Sequence, residues 1–373
     1  MRTHRWLTFI LVSTALSGGG AGCTTGSDGD TGGAGGSGAS AGSGGSSGLG
    51  AQCDALPVLA VGGVWAASIR MTVSLVAKAG GIITICPEDQ QAEASMLMVF
   101  EFQQNASDPT KLDSIASHVC GISLPEVTAM TGACDPAAPN LIKTQLIIPD
   151  ALTNLLPKIE LEPVTGTLSG TAPGSVLTPE RVVFVMGSTK RDPDLPRWKN
   201  DVVDCGYPEL GHTNSCDAQC VTDCASLTDD DGDGYPGVTL AVCGRSPDDD
   251  KQNIPCNIDD PSKAGVIVQG RAWLDMQIDP LMTGVAKSSC ELVGTVDANI
   301  RYNLVGSDCY LSNAQIGVST SITALPIFSV VADDSPYRML RVDGQHGSPD
   351  WKLDFADGPG ACGVLLDRQA ELL

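Results

Sequence analysis

Aromatic residues are scarce in this 373-residue sequence, with Phe, Trp and Tyr together making up 4%. Charged residues are also few, at 18% against roughly 25% in an average soluble chain. With so few rings and ion pairs, the fold has to rest on small aliphatic residues, turns and cross-links. Basic residues are the scarcer charge: 22 Lys and Arg face 44 Asp and Glu, a formal net charge of −22. Such a chain repels nucleic-acid phosphates and anionic lipid and favours divalent cations or basic partners. Nucleic acid is thereby excluded as a partner. Histidine occurs four times, and beyond the N-terminal region the histidines are His118, His212 and His346. There is no His-Glu-x-x-His pair and no glycine-rich phosphate loop after a strand, so the sequence carries no catalytic signature. A hydrolase site assembled from dispersed residues is the alternative to a non-catalytic role.

The N-terminus reads as an address. Arg2 and Arg5 precede an apolar run from Leu7 to Leu16, which is far shorter than the ~20 residues that span a bilayer. This charge order and length predict a secretory signal peptide over residues 1–22. The following Gly20-Ala21-Gly22-Cys23 resembles the lipobox of bacterial lipoproteins, with Gly20 where the usual leucine would stand. The resemblance implies that Cys23 is lipidated and becomes the mature N-terminus, placing the protein at an outer membrane or cell surface through a lipid anchor. Cleavage near Ala21, with Cys23 left for a disulfide in a periplasmic or extracellular protein, is the other reading. Residues 23–51 are a glycine- and serine-rich tether, with 12 glycines between Thr24 and Ala51. Its expected reach is roughly 30 Å. The nucleophile-elbow string Gly38-Ala39-Ser40-Ala41-Gly42 and the triplet Asp30-Thr31-Gly32 both lie in this low-complexity stretch. It cannot supply the strand–turn–helix setting that an elbow needs.

After Gln52 short apolar runs alternate with Gly, Pro, Asn and Asp. Met96–Phe102, Leu141–Ile148, Arg181–Met186, Val266–Val268 and Arg338–Val342 read as strands, and Asp150–Lys158 and Asp108–His118 as short helices opened by an aspartate. The expected fold is mostly β, an antiparallel β-sandwich or open barrel. Weak internal similarity suggests a duplicated module. Gly62-Gly63-Val64-Trp65 pairs with Gly270-Arg271-Ala272-Trp273, Cys120-Gly121-Ile122-Ser123 with Cys309-Tyr310-Leu311-Ser312, and Pro196–Asp201 with Pro349–Asp354. The implied domains are a β module at 52–205, a cysteine-rich acidic insertion at 206–264 and a second β module at 265–373. In this scheme Trp65 and Trp273 occupy equivalent core positions.

Fourteen cysteines on an exported chain imply disulfides. The duplication pairs Cys86 with Cys120 and Cys290 with Cys309, and Cys205 and Cys362 close each half. Cys216, Cys220 and Cys224 are spaced as on one helix face, but two-residue spacings or added histidines are what metal–thiolate sites use.

The sharpest motif lies in the insertion. Residues 201–260 hold 14 Asp or Glu against Arg245 and Lys251, and at their centre runs Asp229-Asp230-Asp231-Gly232-Asp233-Gly234-Tyr235. Alternate carboxylates followed by a glycine turn let one loop surround a hard cation with oxygen. The stretch resembles the calcium loops of EF-hand, dockerin and thrombospondin type 3 repeats. That resemblance implies side-chain ligands from Asp229, Asp231 and Asp233 and a carbonyl from Tyr235. The twelfth loop position, a glutamate in EF-hands, is Leu240, so the site needs a ligand from elsewhere: Asp248, Asp249, Asp250, Asp259 or Asp260. The sequence reading is therefore a tethered surface protein with a structural calcium loop and a binding role toward an unknown protein or glycan. A secreted hydrolase and divalent-metal capture by the acidic insertion are the alternatives.

Overall fold

The computed structural model describes residues 53, 58–76, 84–85, 91–130, 141–159, 161–199, 220–318, 321, 327–344 and 351–372. The expected signal segment and tether, with Cys23, Cys86, Cys205, Cys216, His212 and His346, lie outside them.

Eight strands follow one another around a closed ring: β1 (Gly63–Val76), β3 (Gln91–Gln104), β4 (Lys111–Ser123), β7 (Val164–Leu168), β8 (Ser175–Pro179), β11 (Val268–Ser288), β12 (Glu291–Leu311) and β15 (Pro336–Arg341). Each is antiparallel to the next, and β15 returns to β1 with Trp65 opposite Arg341. The expected antiparallel β body is present, and its sheet closes on itself. Closure leaves these ladders without a free edge, and a barrel of eight strands is just wide enough to be filled by side chains. Alternation along the strands does the filling. Trp65, Ala67, Ile69, Met71 and Val73 of β1 and Met96, Met98, Phe100 and Phe102 of β3 all point into the main core. Trp65 donates its indole N–H to the Val61 carbonyl at 2.8 Å and stacks on Phe102, so its polar edge is satisfied inside an apolar interior.

The 21-residue strands β11 and β12 reach beyond the ring. Along β11, β10 (Val238–Arg245) pairs at residues 268–274, β9 (Phe184–Met186) at 276–278 and β8 at 284–286. From β10 the sheet continues through β6 (Leu141–Ile147) and β5 (Glu126–Met130) to β2 (Thr84–Ile85). β13 (Ala314–Ile316) borders β12, and β14 (Ile327–Val330) borders β1. The helices are short: α1 (Asp150–Leu155), α2 (Pro247–Gln252) and α3 (Gly358–Asp367). No helix among the described residues is long and apolar enough to cross a membrane. α3 covers the outer face of β1, β3 and β4, where Ala361, Cys362 and Leu365 meet Ala66, Val99 and Cys120.

Several sequence expectations need correction. Asp108–His118 is a turn followed by β4 rather than a helix. The buried residues Leu112, Ile115 and Val119 have helix-like spacing because a register shift between Leu112 and Ile115 moves the strand's inward face by one residue. The two proposed β modules are not separate in space. β1, β3, β4, β7 and β8 come from one side of the insertion and β11, β12 and β15 from the other, and all share one ring within one compact unit, Ser46–Leu373. Trp65 and Trp273 are not equivalent: Trp65 fills the main core, whereas Trp273 packs with Val221 and Val305 in a separate cluster. The cysteine pairs implied by duplication fail with it. Cys120 bonds Cys362, Cys290 bonds Cys53, and Cys243 bonds Cys256. Cys309 is a buried free thiol, and burial pushes its pKa up to about 12. Cys220 and Cys224 are disulfide-bonded, which leaves them unavailable as metal thiolates. These disulfides belong to an oxidising environment.

Candidate metal centre

The acidic loop sits immediately before β10. Its backbone needs glycine at Gly232, Gly234 and Gly237, which all have positive φ, at 69°, 91° and 97°. Gly237 is also pressed against the wall, since a Cβ there would meet the Leu274 carbonyl oxygen at 2.6 Å. These turns bring the carboxylates of Asp229, Asp231 and Asp233 together, with one oxygen from each within 4.8 Å of the others. Among the described residues this is the one group of three or more His, Cys, Asp or Glu side chains spaced to hold a metal ion.

The loop's own amides hold the carboxylates in place. Asp229 accepts from the Asp233 and Gly234 amides at 3.1 and 3.0 Å. Asp233 accepts from the Tyr235 amide at 2.9 Å and from the Thr239 hydroxyl at 2.6 Å. Asp231 Oδ2 accepts from the Thr239 amide at 2.8 Å. Its other oxygen, Oδ1, is buried with no hydrogen-bond partner among the described residues. A buried anionic oxygen with no donor is costly, and burial, followed by the charges of Asp233 and Asp229, raises the Asp231 pKa to about 6. A cation at the triad would supply the missing partner and reverse that shift.

Other contacts anchor the loop to the barrel. Asp230 accepts from the Gly187 amide at 2.6 Å, so the fourth aspartate serves as a tie to the segment after β9. The Tyr235 ring stacks on Trp273 of β11, and the Arg271 guanidinium lies 5.7 Å from the centre of the same tyrosine ring. Asp248 is placed elsewhere. It sits in the first turn of α2, exposed, and pairs with Lys251 at 3.0 Å. Asp249 closes the capping box of that helix with Ser246, and Asp260 pairs with Lys263. None of these joins the three-carboxylate cluster.

Sequence reasoning missed a buried polar row on β11. Asp275, Gln277 and Asp279 are all buried on the face away from the main core. Gln277 donates to Asp279, and Arg301 pairs with both Asp279 and Asp192. The alternation of Asp275, Gln277 and Asp279 with Leu274, Met276 and Ile278 was the available signal. His118 packs against Phe355 at 4.5 Å between ring centroids, which is a packing role beneath α3. No known family model matches this chain, and no curated protein or solved structure matches it either.

Proposed function

We propose that the chain is an exported protein, anchored to a membrane by lipid on Cys23, whose Asp229–Tyr235 loop holds calcium as a structural ion and whose β body serves a binding role. The observation that carries the calcium reading is the triad itself: three carboxylates gathered by short-range turns, one presenting a buried oxygen that no donor among the described residues satisfies. Oxygen-only ligands suit a hard cation, and a loop of flexible turns suits calcium better than the strict octahedron of magnesium. With three aspartates and a carbonyl from Tyr235, the site belongs to the weak extracellular class, Kd about 10⁻⁴ to 10⁻³ M. Export follows from the signal-like N-terminus and agrees with the three described disulfides. A single cluster among the described residues supports a structural ion over bulk metal capture.

Calcium titration followed by thermal unfolding and protease challenge tests this. At tenfold excess over Kd, a site of this kind adds about 1.4 kcal/mol of stability, with protection of the 229–237 backbone. An unfolding curve and cleavage pattern indifferent to both calcium and chelator would remove the calcium assignment.

A further inference from the structure

Beyond the segments that close the ring, β11 turns Ala272, Leu274, Met276 and Ile278 toward a cavity of about 110 Å³. β1 and β3 form the opposite wall, and Leu152 of α1 with Leu156 of the 3₁₀ turn that follows it closes one side. No nitrogen or oxygen contributes to its lining surface, so water inside would find no hydrogen-bond partner. Protein interiors keep few voids larger than a water molecule, and this one lies against half-buried rather than fully buried residues at Ile122, Ile300, Tyr302 and Phe328. Solvent therefore reaches its rim.

We propose that this cavity binds a short alkyl chain. A dry engineered cavity of roughly 150 Å³ takes up benzene; at about 110 Å³ there is room for about four to five carbons by the same measure, which a slender chain fits and a ring does not. Met71, Met96, Met186 and Met276 line it, and unbranched thioether side chains adapt to a flexible ligand. The rings of Tyr302 and Phe328, edge to face at 5.6 Å, stand between this cavity and a polar cleft that holds Arg197, Arg301 and Asp192. A chain carrying a polar head thus has a place for the head beside the rim. The inference goes beyond the calcium reading and does not depend on it.

The test uses the purified protein labelled with methyl-¹³C methionine, titrated with n-pentane and separately with n-hexanoate, with calcium present and with chelator. The resonances of Met71, Met96, Met186 and Met276 should shift, while those of Met98, Met282 and Met339, which lie at another place in the core, stay put. Shifts with n-pentane alone assign a free hydrocarbon; shifts with n-hexanoate as well assign the chain of an amphiphile. Ala272→Leu and Ala94→Leu each fill the cavity from opposite walls and should weaken either ligand at least tenfold while the protein stays folded. Absent shifts, equal shifts at all seven methionines, or undiminished binding by a folded filled variant would overturn the proposal.

Discussion

The phenol ring of Tyr235 lies over the indole of Trp273 with centroids 4.5 Å apart and 15° between the planes. One ring belongs to the acidic loop and the other to the barrel wall, so this stack couples the loop's shape to the most extensively paired strand of the fold. Stacked aromatic pairs contribute about 0.5–1.5 kcal/mol beyond their buried area. A double-mutant cycle of Tyr235→Ala and Trp273→Ala should return a coupling in that range by chemical denaturation. Tyr235→Ala should also weaken the proposed calcium binding severalfold, since the loop loses its hold on the wall. Additive effects of the two substitutions would show that the stack does not couple them.

The acidic loop was legible because everything that shapes it is local. Asp229, Asp231 and Asp233 alternate, glycines stand where the backbone has positive φ, and Asp229 reaches amides only four and five residues away. Strands such as β3 and β15 were legible for the same reason, through alternation within a few residues. Ring closure was not, because it depends on β12 meeting β15 and β15 meeting β1, pairings between segments distant in sequence. Cysteine connectivity failed similarly: Cys53–Cys290 and Cys120–Cys362 span 237 and 242 residues, and spacing alone says nothing about such partners. The apparent repeat misled because both Gly-x-x-Trp strings lie near the start of a strand, β1 and β11, while their tryptophans enter different clusters.

The Cys120–Cys362 bond fixes α3 to the outer face of β4. A bond closing so long a loop restricts the unfolded chain strongly, and its loss typically costs about 2–5 kcal/mol. Cys120→Ala with Cys362→Ala should lower the unfolding midpoint and expose the segment after Asp367 to proteases. Apolar contacts of Leu365 and Trp351 should keep the barrel itself folded. Unchanged proteolysis of the C-terminal segment in this variant would show that packing alone holds the helix.

Arg341 is a buried cation. Its Nε lies 2.7 Å from Asp343, the two side chains are 7% and 10% exposed, and its Nη1 donates to the Ala60 carbonyl at 2.7 Å. Replacing Arg341 alone takes away the cation beside the buried Asp343 carboxylate, and breaking a buried pair from one side costs about 3–5 kcal/mol. Arg341→Met should therefore destabilise far more than Arg341→Met combined with Asp343→Leu, in which no charge is left behind. Equal destabilisation in single and double variants, measured by denaturant unfolding, would mean that the lost Ala60 contact matters more than the broken ion pair.

Asp275 gives the fold a pH dependence whose sign follows from its surroundings. The side chain is fully buried; Oδ1 accepts from the Asn303 amide at 3.2 Å, and Oδ2 has no hydrogen-bond partner among the described residues. Burial raises its pKa from 3.8 to about 7, against the smaller opposing effect of Asn303. Between those two values the folded chain holds a proton that the unfolded chain has released, so this residue makes stability fall as pH rises from about 4 to 7, and the loss is complete above 7. Asp275→Asn removes the titration while keeping an oxygen to accept from Asn303. The variant should match the parent near pH 4 and exceed it at pH 8, by on the order of 2–4 kcal/mol. Unfolding midpoints of both proteins across pH 4 to 8.5 measure this directly. Parallel pH profiles for the two would mean that Asp275 ionises in the folded state as easily as in the unfolded one, and would remove the buried acid from the account of the fold.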